Sequence, residues 1–271
     1  MKGLRYLNIM SKEFPNIIVS NPINGVVRVA LNEPETYNAL SFITIKSLIK
    51  CFKNLDQNKD TKVIIIEGSG KGFCAGHNLK EIKSIKNKAD YQKLFSLCSK
   101  LMMQIVNLKK PVIAKVHGAA FAAGCQLVAT CDLAISSSDA FFATPGVNMG
   151  LFCSTPMVAV SRNVGKKQMM KMLLTGDRVD AEYAKKIGLI NDHYDSSTLD
   201  EEVVKLAELI SSKSNKVVKI GKKAFYKQLE MPLEKAYKYT SKVMTENMML
   251  LDANEGISAF IEKRKPKWKN K

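Results

Sequence analysis

Gly70-Lys71-Gly72-Phe73-Cys74-Ala75-Gly76-His77-Asn78-Leu79 is the stretch on which the reading of this chain turns. It follows a β-branched apolar run, 63–67, which reads as a buried strand. A second segment repeats the pattern directly after the apolar run Val112–Val116: His117-Gly118-Ala119-Ala120-Phe121-Ala122-Ala123-Gly124-Cys125-Gln126. Small side chains let a ligand approach the backbone closely. A backbone N–H at a helix start has no intrahelical acceptor, so it can face a developing negative charge. Either segment alone reads as a tight turn. Two of them, each behind a strand, make a candidate site.

The neighbouring segments set the fold class. Val26–Leu31 reads as a strand, and 41–54 as a helix with Phe42, Ile45, Leu48, Ile49 and Phe52 at helical spacing. A helix is predicted over 89–108, a short one over 125–130, and further strands over 133–136 and 140–143. Strand, helix, strand at this spacing implies βαβ units with right-handed crossovers. From Lys166 onward nearly everything is helical in period. Thr198-Leu199-Asp200-Glu201 predicts a capping box opening a helix to 212, followed by helices over 216–229, 233–250 and 254–263. The expected fold is α/β, with a core over 14–200 and a helical region of the same domain over 201–271. Residues 1–12 carry Lys2, Arg5 and Lys12 and no acid, and 1–13 are expected to be a disordered amino terminus.

Composition narrows the function classes. At 271 residues, 46% hydrophobic and 25% charged, the chain has ordinary globular values and enough length for a full core. No apolar run approaches the roughly 20 residues of a bilayer-spanning helix; Lys115, His117 and glycines interrupt the best candidate. Cys51, Cys74, Cys98, Cys125, Cys131 and Cys153 contain no C-x-x-C pair and read as buried thiols in a reducing compartment. His77, His117 and His193 show no metal-ligand spacing. The unusual number is the net charge of +17, which calls for an anionic partner: nucleic acid, a membrane surface or a phosphate-bearing small molecule.

Taken in order along the chain, the motifs resemble the enoyl-CoA hydratase/isomerase (crotonase) superfamily. They are Leu31-Asn32-Glu33-Pro34 through Asn38-Ala39-Leu40, the two small-residue segments with Cys131-Asp132, and Leu174-Thr175-Gly176. Ala181-Glu182-Tyr183-Ala184, Gly188-Leu189-Ile190 and Glu255-Gly256-Ile257-Ser258-Ala259-Phe260 follow. The resemblance implies a spiral of ββα units with a helical carboxyl-terminal oligomerisation region. It also implies trimers or dimers of trimers, an acyl-CoA substrate and no separate cofactor. The compartment implied is the cytoplasm in a bacterium or the mitochondrial matrix in a eukaryote.

Carried over residue by residue, the resemblance puts two oxyanion-hole N–H donors on Ala75 and Ala123. Ala75, Gly76, His77 and Asn78, with Ala123 and Gly124, would line the thioester and pantetheine path. Phe260 and Lys263 match positions that contact the CoA adenine and phosphates. The family often has Asp where Asn78 stands, and a Lys or Arg where Glu35 stands.

The decisive departure lies in the carboxylates. The resembling hydratases use two glutamates, whose positions are Gln126 and Gly146 here, and the isomerase glutamate falls on Ser154. Gln126 is no general base near neutral pH, and Gly146 offers only space. Each positioned acid or base contributes about 10²–10⁴-fold, so hydratase activity is expected to be weak or altered. Restoring glutamate at 126 and 146 together is expected to raise crotonyl-CoA hydration. Cys153 or Ser154, with His77 as base, offers replacement chemistry.

Two alternatives stand beside this reading. One is another acyl-CoA thioester reaction, decarboxylation or hydrolysis. The other is nucleic-acid binding through the lysine runs at 80–88, 213–223 and 263–271, since one relative type binds AU-rich RNA through a basic helix. Only 7% aromatic residues and no RNA-stacking motif argue against the latter.

Overall fold

A computed structural model describes residues 14–271; the amino-terminal expectation for 1–13 lies outside the described residues. Three apolar strands form the centre: β2 (Val26–Leu31), β3 (Val63–Gly68) and β4 (Val112–Val116). They are buried on both faces, which is why they read as continuous hydrophobic runs. With β1 (Ile17–Val19), β6 (Leu133–Ser137) and β9 (Asp192–Tyr194) they make a six-stranded sheet in the order β1-β2-β3-β4-β6-β9. Only the β1–β2 pair is antiparallel.

The crossovers are helical, as parallel neighbours require. Helix α1 (Phe42–Gln57) starts at Ser41, whose hydroxyl accepts the Thr44 N–H at 3.1 Å. Helices α2 (Leu79–Ser84) and α3 (Lys88–Asn107) lie between β3 and β4, and Asn87 caps α3. Between β4 and β6 come a short strand, β5 (Ala119–Phe121), and α4 (Ala123–Thr130). β5 pairs with β7 (Phe141–Ala143), and β7 with β8 (Val179–Asp180), in a separate three-stranded sheet. The chain thus steps from large sheet to small sheet at β4–β5 and again at β6–β7. This is a spiral of strand and helix turns, as the sequence led one to expect.

Alternation along β3 divides the core. Ile64 and Ile66 face one cluster with Phe52, Phe73 and Phe142; Val63 and Ile65 face another, covered by Val203 and Ala207 of α8 (Leu199–Ser211). Four charges also pin α8 to that face. Arg28 binds Glu67 bidentately at 2.9 and 2.7 Å, and Lys115 binds Glu67 at 2.6 Å. Asp200, in the first turn of α8, pairs with both Arg28 and Lys115. The capping box at 198–201 does not form. The Thr198 hydroxyl donates instead to the Asp195 carbonyl at 3.2 Å. The acid in the first turn is used across the sheet rather than along the helix.

The last third is less uniformly helical than its period suggested. Helices α5 (Pro156–Val160), α6 (Lys166–Thr175) and α7 (Ala181–Lys186) alternate with β8 and β9. Then α9 (Asn215–Leu229), α10 (Leu233–Met248) and α11 (Leu251–Ile261) close the chain. Lys222 anchors α9: its ammonium donates to Asp132 at 2.7 Å and to the carbonyls of Ile105 and Lys110 at 3.0 Å each. Beyond that anchor, Leu233, Tyr237, Met249 and Phe260 are exposed.

Candidate active site

The first small-residue loop is held as an extended segment between two neighbours. Cys74 N–H donates to Ala119 O at 3.0 Å, and Phe121 N–H to Cys74 O at 2.9 Å. On the other side, Leu40 N–H donates to Gly76 O at 2.7 Å and Asn78 N–H to Leu40 O at 3.4 Å. The Ala75 N–H donates to Tyr37 O at 2.9 Å. It is therefore spent, and the expectation that Ala75 supplies a free donor is corrected. The ladder with Leu40 uses the carbonyl before His77 and the N–H after it. The His77 N–H is left facing away from Leu40, with no acceptor among the described residues.

The second loop supplies a matching group. Ala122 N–H donates to Ala143 O at 2.9 Å, fixing the loop to β7. Ala122 then takes φ +46° and ψ −113°, a region a side chain rarely adopts. That turn starts α4 at Ala123, whose N–H meets no acceptor among the described residues. Two glycines let the loops close on each other. A Cβ at Gly124 would lie 2.1 Å from Cys74 O. One at Gly76, where φ is +98°, would lie 3.3 Å from Ala123 N. The residue after Gly76 is His77, so the two segments that carry these unpaired N–H groups meet at this contact.

The side chains around them are neutral. Burial lowers the His77 pKa, and the bond to Leu40 O opposes this only in part. Its Nδ1 lies 3.3 Å from Leu40 O, which can only accept, so Nδ1 is assigned the proton. The buried Nε2 has no partner among the described residues, and the ring stands edge-on to Phe95 at 5.6 Å. Gln126 is 4% exposed. Its Oε1 accepts a long contact from the Cys98 thiol at 4.0 Å, and its amide nitrogen has no partner among the described residues. Burial pushes Cys74, Cys98 and Cys125 up to about 12.

The space expected at Gly146 is filled. Gly146 lies in a single 3-10 turn, Pro145–Met149, and its N–H donates to Cys153 Sγ at 3.3 Å. A Cβ there would meet both Cys153 Sγ and Leu151 O at 2.9 Å. One of those atoms is backbone, so a glutamate at 146 requires the chain itself to move. Restoring both carboxylates is thus not expected to restore hydration by itself. Ser154 is exposed and its hydroxyl donates to Phe152 O at 3.3 Å. No hydrogen bond joins Cys153 or Ser154 to His77 among the described residues, and burial raises the Cys153 pKa.

Asn78 acts as the N-cap of α2, accepting the N–H groups of Lys80 at 3.0 Å and Glu81 at 3.1 Å. Phe260 is 85% exposed near the end of α11, and Lys263 follows it at φ +53°. No hydrogen bond or ring contact joins either to the two loops. Sequence reasoning missed the Tyr37 carbonyl and the Ala122 turn. Neither carries a periodic signal, because both are matters of backbone direction.

The comparisons agree with this fold. Residues 22–271 match the family model described as Enoyl-CoA hydratase/isomerase. The mitochondrial enoyl-CoA hydratase domain-containing protein 3 of Homo sapiens is 44% identical over 254 residues, covering 94% of this chain and 84% of that one. A crystal structure of the human protein of that name superposes with a TM-score of 0.91 at 44% identity, covering 93% and 100% of the two chains. One of an enoyl-CoA hydratase from Mycobacterium smegmatis gives 0.92 at 45%, covering 94% and 99%. With the family model spanning nearly all the described residues, this chain belongs to the enoyl-CoA hydratase/isomerase family.

Proposed function

We propose that this chain binds acyl-CoA thioesters and holds the thioester oxygen between the N–H groups of His77 and Ala123. The observation that carries the reading is that these two neighbouring donors are unpaired. Unpaired donors in a closed site cost about 1–3 kcal/mol each, which an incoming oxygen repays. They favour enolate-like charge on that oxygen, with roughly 10²–10³ in rate resting on each. Gln126 and Gly146 supply no carboxylate, so hydration by a pair of acid/base groups is weak here. The site needs no cofactor beyond the CoA thioester itself.

Phe260 and Lys263 meet the CoA adenine and phosphates of a neighbouring subunit in this reading, within a trimer or dimer of trimers. Exposed apolar side chains on α10 and α11 support such an assembly. The compartment is the mitochondrial matrix if the source is eukaryotic, following the human relative's name, and the cytoplasm if bacterial. Calorimetric titration with CoA and butyryl-CoA tests the reading. Binding that weakens in Ala123→Pro is the expected result, and no binding at millimolar ligand would overturn it.

A further inference from the structure

Gln126 stands where the resembling hydratases carry an acid, and its surroundings are of opposite electrostatic character to an acid's. It follows Ala123 by three residues on α4, so the two share a face. Helical side chains lean toward the amino terminus, the end of α4 at which the unpaired Ala123 N–H lies. The amide oxygen is turned to the Cys98 thiol at 4.0 Å, leaving the NH₂ group directed elsewhere. This side chain is 4% exposed; its nitrogen keeps some solvent access and meets no acceptor among the described residues. The start of α4 adds partial positive charge. The acid in the first turn of α2, Glu81, is already committed, accepting the Phe42 N–H at 3.0 Å. His77 adds no negative charge.

We infer that Gln126 makes this pocket selective for an acyl-CoA whose acyl group carries a second hydrogen-bond acceptor close to the thioester, a carboxylate above all. The inference rests on the acyl-CoA reading of the site and names its substrate class. With the thioester oxygen at the His77 and Ala123 N–H groups, an acceptor one or two carbons away lies within reach of the Gln126 amide. A saturated apolar acyl chain would cover that NH₂ and leave it unmatched. A malonyl-type carboxylate satisfies it and gains from the helix terminus as well. A hydrogen bond to a charged group contributes about 1.5–3 kcal/mol, or roughly tenfold and upward in affinity.

The test is calorimetry with CoA, butyryl-CoA and malonyl-CoA against the wild type, Gln126→Met and Gln126→Glu. Malonyl-CoA is expected to bind the wild type at least about tenfold more tightly than butyryl-CoA. The ratio should fall toward one in Gln126→Met, which keeps the shape and removes the donor. It should invert in Gln126→Glu, where two carboxylates would face each other. Equal wild-type affinities for the two thioesters would overturn the inference while leaving the acyl-CoA reading intact. A malonyl preference that survives Gln126→Glu would assign it to the basic surface and overturn it too. Failure of all three ligands to bind would remove the reading beneath it.

Discussion

The two loops of the site and the carboxyl-terminal helices are both incomplete, in opposite chemical senses. At Gly124 the backbones pack so closely that a methyl group does not fit, and at Gly76 one would be tight, yet polar groups at His77, Ala123 and Gln126 stay unmatched among the described residues. Along α10 and α11 the backbone groups are satisfied within helices, and it is apolar side chains that stay uncovered. The first kind of gap suits a small oxygen-bearing ligand, because single donors select single acceptors. The second suits another protein surface, because apolar area is covered only by comparable area. What a region lacks is therefore as informative as what it contains.

Closing the first gap sterically should have the largest effect. Gly124→Val places carbon against Cys74 O, and a loss of folded protein or a fall in stability of about 3 kcal/mol or more is expected, read by thermal unfolding. Removing one donor comes next. Ala123→Pro deletes an N–H at the first helical position, where proline suits the helix, while the Ala122 turn before it must shift to accept the ring. A rate loss of about 10²–10³ in any thioester reaction is expected, with unchanged helical circular dichroism. On the other side of the comparison, Leu233→Asp with Phe260→Asp should shift sedimentation toward a smaller species and leave the Tm of the α/β core near its original value.

A smaller effect concerns the ion cluster that holds α8. Burial works to raise the Asp200 pKa, but the hydrogen bonds from Arg28 and Lys115 outweigh it and hold the group at about 2. An unfolded Asp titrates near about 3.9. The cluster's contribution is thus complete above about pH 4 and is lost as the pH falls through about 2. Tm should drop across that window, and Asp200→Asn should flatten the drop; an unchanged slope in the variant would assign the acid sensitivity elsewhere. Smallest of all, Ala122→Gly should relieve the φ of +46° and raise stability by about 1 kcal/mol.

Periodicity made the main sheet and its crossovers legible in the sequence. Val26–Leu31 and Val112–Val116 match the observed strands end for end, and Ser41 marked the start of α1. Strands of two or three residues, such as β8 and β9, hold too few side chains to show alternation. The site was legible as two loops but not as particular atoms. Which N–H is free, Ala75 or His77, depends on alternation along an extended segment and on the carbonyl of Tyr37, which lies far from the loop in sequence. Gly146 reads as vacancy in the sequence, whereas Cys153 and Leu151 close on it in space.

Lys222 carries a consequence for the order in which the chain assembles. Its three acceptors lie 117, 112 and 90 residues earlier. Contacts over such separations can form only after the segments between them have been organised. Docking of α9 is thus expected to follow completion of β4 and the turn bearing Asp132. On a ribosome, the α/β body can mature before the exposed apolar helices arrive, shortening the interval in which those surfaces are free to meet the wrong neighbour.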